Sequence, residues 1–131
     1  MMRSLFLGMM IWLAALAFPA SGTAAELVMF EEAGCPWCAA WNRDIAAIYP
    51  KTAEGKRAPL RRVDLHAVWP DDLPELEPVH YTPTFVLIDN GQEIGRILGY
   101  PGEDFFWGLL GELIERLEPI AAPQAAGGSG Q

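Results

Sequence analysis

The chain has 131 residues, 51% of them hydrophobic, with 9 Lys+Arg against 17 Asp+Glu and a formal net charge of −8. This length holds one domain, and the apolar content is too high for a disordered chain. The acidity excludes the basic stripe that a nucleic-acid binder needs, and two cysteines exclude a multi-disulfide scaffold.

The first segment reads as an export signal. Met1-Met2-Arg3-Ser4 is a short positive start, and Leu5 to Phe18 is an apolar run too short to span a bilayer. Pro19 to Gly22 breaks that run, and Thr23 and Ala25 are small residues suited to cleavage after Ala25. The expectation is a cleaved signal over residues 1–25, and an uncleaved anchor is the alternative. Export places the two cysteines where a disulfide can persist.

Leu27-Val28-Met29-Phe30 is apolar on both faces, the pattern of a buried strand. Glu31 to Gly34 is a turn. Cys35-Pro36-Trp37-Cys38 opens a helix, since proline is favoured at a first helical position. Trp41, Ile45 and Ile48 repeat at helical spacing, Tyr49 widens their face, and Pro50 stops the helix. Lys51 to Pro59 reads as a charged connection, and Leu60 to Leu65 as a second strand. Between His66 and His80, Pro70, Pro74 and Pro78 leave room for one short helix at most.

Thr84 to Ile88 has strong strand propensity, and Asn90-Gly91 is a hairpin signal that returns Glu93 to Leu98 beside it. A last helix follows Glu103-Asp104, with Phe105, Phe106, Leu109, Leu110, Leu113, Ile114 and Leu117 as a wide apolar stripe. Gly108 and Gly111 each cost that helix about 1 kcal/mol, and close approach to the sheet is the expected compensation. The domain spans 26–118, and the Ala/Gly-rich stretch 119–131 reads as a disordered tail. The order β-α-β-β-β-α, with a right-handed parallel crossover and an antiparallel hairpin, predicts an α/β fold. It would be a four-stranded mixed sheet with helices on both faces.

The chemistry sits in one C-x-x-C between a strand and a helix. Cys35 falls at the helix N-cap, where free backbone N–H groups favour a thiolate. Cys38 lies one turn inside. Cys35 is therefore the expected nucleophile and Cys38 the resolving thiol. Pro36 stiffens the ring, and Trp37 projects at the rim towards a partner. A purely structural disulfide would contribute only about 2 kcal/mol from so short a ring. Two cysteines alone do not close a zinc site, so no metal and no cofactor are expected.

Cys-Pro-Trp-Cys after a buried strand, Tyr81-Thr82-Pro83-Thr84 opening another, the Asn-Gly hairpin and Gly99-Tyr100 before the final helix resemble the thioredoxin superfamily. Within it the chain is similar to small periplasmic thioredoxin-like proteins of the sulfur-oxidation-associated SoxS type. The resemblance covers Leu27 to Leu117 and lacks the N-terminal β-α of full thioredoxin. It implies a cis-proline at Pro83, with Thr82 and Trp37 meeting a bound partner strand. It also implies a buried acid six residues before the first cysteine. That position holds Met29, which leaves Glu31 and Glu32 as a possible proton relay, or as solvated turn acids.

The resulting expectation is a monomeric periplasmic thiol–disulfide oxidoreductase that binds no nucleic acid. The SoxS-type resemblance implies a reductase of a cysteine-containing periplasmic protein, possible in sulfur oxidation, recharged by a membrane thiol–disulfide transporter. The alternatives are a disulfide oxidase or isomerase in envelope or cytochrome maturation, and a non-enzymatic metallochaperone.

Overall fold

The structure is a computed structural model and is described here for residues 24–119. The expected signal segment, apart from Ala24 and Ala25, and nearly all of the expected tail lie outside the described residues.

Four strands form one mixed sheet in the order β2-β1-β3-β4. They are β1 (Glu26–Glu31), β2 (Leu60–Asp64), β3 (Thr84–Asp89) and β4 (Gln92–Leu98). β1 is central, parallel to β2 and antiparallel to β3. β3 and β4 make the expected hairpin, with Asn90 at φ 49° and Gly91 at φ 72° in its turn. β1 lies at the centre of a sheet covered on both faces, and Leu27, Val28, Met29 and Phe30 are all fully buried.

The odd-numbered face, carrying Leu27, Met29, Phe85 and Leu87, packs against α1 (Pro36–Trp41) and α3 (Glu103–Ile114). Trp41 is the hub there, with its ring 5.3 Å from Phe85 and 5.8 Å from Phe106. The opposite face carries Val28, Phe30, Val63, Val86 and Ile88. No helix covers it. The segment after β2 does so instead, through Leu65, Trp69, Leu73, Leu76 and Val79. This corrects the expectation of helices on both faces. Those five residues recur every three or four positions, as on a helix. Pro70, Pro74 and Pro78 interrupt the same stretch and deny it the helical backbone. Arg61 on β2 fastens this strap through Asp72 at 2.6 Å. Arg96 on β4 fastens it by donating to the carbonyls of Pro78 at 3.1 Å and Glu77 at 3.0 Å.

The first helix also differs from expectation. After Trp41 it widens into a single π-type turn, Asn42–Ala46. A wider turn favours spacings above 3.6 residues. Trp41, Ile45 and Tyr49, four apart, are therefore buried, while Ile48 is turned out and 42% exposed. Pro50 lies within a 3-10 turn, Tyr49–Lys51. The expected connection after it contains a short helix, α2 (Ala53–Arg57). Thr52 caps α2 by accepting from Gly55 N at 3.0 Å, and its hydroxyl donates to Tyr49 O at 2.7 Å. Gly55 is required because a Cβ there would lie 1.8 Å from the Tyr49 carbonyl oxygen.

On α3 the apolar stripe is narrower than its composition implies. Phe106, Leu110, Leu113 and Leu117 are buried, whereas Phe105 is 69% and Leu109 40% exposed. Gly108 and Gly111 face open space, so they do not serve a close approach. That role belongs to Gly95 on β4, where a Cβ would meet Leu113 Cδ2 at 2.5 Å.

Candidate functional site

The site forms where the central strand runs out. Gly34, at φ +78°, makes the turn from β1 into α1, a conformation that side chains with a Cβ rarely adopt. Cys35 follows in an extended conformation as the N-cap of α1, and its Sγ accepts from Cys38 N at 3.1 Å. Cys35 and Cys38 are joined in a disulfide, with Cα atoms 5.2 Å apart. The two sulfurs are not equivalent. Cys38 is 4% exposed and belongs to the core, whereas Cys35 is half-buried. Access therefore favours attack at or by Cys35, with Cys38 shielded behind it. Pro36 is at the first helical turn and Trp37 stands out from it, 62% exposed.

The loop before β3 comes up beside the disulfide. Its Thr82–Pro83 bond is cis, and Pro83 is buried. Pro83 O accepts from Gly99 N at 2.7 Å, and Thr84 Oγ1 donates to Tyr81 O at 2.7 Å. Between this loop and the Cys35 turn lies a groove of about 320 Å³, lined by Glu32, Gly34, Cys35, Trp37, Tyr81 and Thr82. Tyr81 is 67% exposed at its rim. His80, also exposed, contributes to the same wall. A second groove, of about 420 Å³, opens on the other side of the turn and reaches Cys38, with Glu31, Glu32 and Asn42 in its lining.

The two glutamates are thus at the dithiol, and each is engaged. Glu31 accepts from Arg62 Nη1 at 2.7 Å. Glu32 accepts from Thr82 Oγ1 at 2.5 Å and lies 2.5 Å from His66 Nε2 through its other oxygen. The Thr82 hydroxyl, and after it His66, hold the Glu32 carboxyl below the usual range. Met29 is fully buried beneath the site, as expected of that position.

Two residues, Arg62 and His66, and the contact of Thr82 with Glu32 escaped the sequence reading. Arg62 joins Glu31 to Asn42 Oδ1 at 2.8 Å and lies over the Trp41 ring, 5.5 Å from its centroid. His66 and Thr82 meet at Glu32 from positions 34 and 50 residues away along the chain. Two strand registers bring these neighbours together: parallel β1–β2 pairing sets Met29 opposite Arg62 and Glu31 opposite Asp64, and antiparallel β1–β3 pairing sets Phe30 opposite Thr84.

Among the described residues no three His, Cys, Asp or Glu side chains stand together to hold a metal. None of the described helices is long and apolar enough to cross a membrane.

No family model matches the chain, and no curated protein matches it. Solved structures do. One is the periplasmic thioredoxin SoxS from Paracoccus pantotrophus in its reduced form. It is 48% identical, with a TM-score of 0.69, over 72% of this chain and 99% of that one. Another is the Malassezia sympodialis thioredoxin Mala s 13, with a TM-score of 0.54 over 71% of this chain and 80% of that one. At 19% identity the second likeness speaks for the fold alone.

Proposed function

The chain belongs to the thioredoxin superfamily as a SoxS-like thiol–disulfide oxidoreductase, and from that premise we propose that it is a periplasmic reductase of cysteines on a partner protein. One observation carries the reading. An accessible Cys35 is bonded to a shielded Cys38 beside a groove walled by Trp37, Tyr81 and Thr82.

The cycle starts from the dithiol. Cys35 Sγ, as thiolate, attacks one sulfur of the partner's disulfide. An S–S bond forms to Cys35, and the partner's other sulfur leaves as a thiolate. Cys38, deprotonated in turn, attacks Cys35 Sγ, closes the intramolecular disulfide and releases the second partner thiolate. Two electrons have passed to the partner, and its two thiolates take up the protons that Cys35 and Cys38 gave to solvent. The groove receives an extended segment of the partner along the Tyr81–Pro83 loop, as in strand addition. A membrane thiol–disulfide transporter then reduces Cys35–Cys38 for the next round. The SoxS likeness favours a cysteine of a sulfur-oxidation carrier protein as the substrate. The protein works as a monomer.

Two measurements test this. The equilibrium with glutathione should place the pair near the thioredoxin end of the ~150 mV span that separates thioredoxins from the strongest periplasmic oxidants. A value at the oxidant end overturns the reductase reading. A Cys38→Ser variant, exposed to periplasmic extract, should stall as a mixed disulfide on Cys35, and mass spectrometry of the adduct names the partner. Recovery of no adduct overturns the dithiol shuttle.

A further inference from the structure

Glu32 stands where three segments meet. It directly follows β1, its side chain reaches Thr82 of the loop before β3, and it also reaches His66 after β2. Its backbone oxygen accepts from Cys35 N at 3.4 Å. It also lines both grooves that flank Cys35. Neither groove is lined by a lysine or an arginine. Of the other groups facing them, Glu31 is neutralised by Arg62, and His80 and Tyr81 stand on the far wall. Among the described residues, the Glu32 carboxylate is bonded to the Thr82 hydroxyl and the His66 ring, and these hold its pKa below the usual range.

We propose that Glu32 is a positioning residue of the dithiol reaction with two separable effects. Its negative charge disfavours the Cys35 thiolate and makes the dithiol more reducing. Its hydrogen bond to Thr82 fixes the wall on which the partner segment lies. The first effect follows from like charges opposing ionisation. A reduced form made less stable gives up its electrons more readily, the reverse of the strong oxidants whose reduced form is stabilised. The second follows from geometry, because Glu32 ties the loop bearing Thr82 directly to the turn bearing Cys35. The inference deepens the reductase reading and rests on the same dithiol, but it concerns a difference between variants.

The test uses the full chain and three variants. Glu32→Gln removes the charge and keeps an acceptor for Thr82. Its glutathione equilibrium should shift about threefold to tenfold towards the reduced protein, a tenfold shift being about 30 mV. Thr82→Val keeps the charge and removes the bond. It should hold the equilibrium within about twofold and raise KM for a disulfide-linked synthetic peptide, reduced with dithiothreitol as electron source. Glu32→Ala should show both changes, and it supplies the charge measurement should the glutamine variant not fold. A neutral Glu32 variant that stays at the wild-type equilibrium, or moves towards the disulfide, overturns the electrostatic part. Unchanged KM in Thr82→Val and Glu32→Ala overturns the positioning part. The reductase reading fails separately, on the potential of the wild type, whatever the variants do.

Discussion

The two faces of the sheet bury comparable apolar side chains under very different covers. One lies beneath α1 and α3, whose backbone hydrogen bonds are satisfied within each helix. The other lies beneath an irregular strap, residues 65–79, held by intermittent apolar anchors and two arginines. Between these helices and the sheet lies a continuous, fully buried aromatic cluster of Trp41, Phe85 and Phe106. The strap offers single anchors, chiefly Trp69, whose ring lies 4.7 Å from Phe30. The difference teaches that a sheet face needs apolar side chains at roughly the right spacing more than it needs a helix to carry them.

Substitutions can break or sharpen that contrast. Phe106→Ala, at the centre of the helix-covered core, should cost about 3–5 kcal/mol in urea unfolding, by lost burial and a cavity in a well-packed region. Trp69→Ala, under the strap, should cost about 1–2 kcal/mol, since the ring is only partly buried and its surroundings are free to collapse. Equal costs would erase the distinction between the faces. Replacing Pro70, Pro74 and Pro78 together by alanine should change stability by no more than about 1 kcal/mol while raising far-UV helicity. Unchanged helicity would mean that something other than proline keeps the strap irregular. Gly108→Ala and Gly111→Ala, at open positions on α3, should each raise stability by about 0.5–1 kcal/mol. A loss there would reveal a close contact on the outer side of the helix.

Much of this was legible in the sequence where one local signal dominates. Both-face apolarity marks β1 as a buried strand, Asn90-Gly91 marks the hairpin, and the Cys-Pro-Trp-Cys spacing marks the dithiol. Composition failed where two signals compete in one segment. Helical spacing and three prolines coexist from Leu65 to Val79, and the backbone constraint prevails. Thr52 signals a cap, but Gly55 and the surrounding charges mask the short helix it begins. The π-type turn after Trp41 arises from tertiary packing and leaves Ile48 outside. Least legible was the group around Glu32, whose members are adjacent only because sheet pairing brings three distant segments to one end of β1.

The arginine fastenings of the strap have a bearing on how the molecule would survive damage. Arg61 grips the strap at Asp72, and Arg96 grips it at Glu77 and Pro78, just ahead of the loop that carries Thr82 and Pro83. Trp69 and Leu73 anchor the first half, and Leu76 and Val79 the second. A single proteolytic nick at exposed Glu75 would therefore leave each new end pinned to its own edge of the sheet. The groove wall would stay in place, and the enzyme would run as two fragments held together without a covalent link.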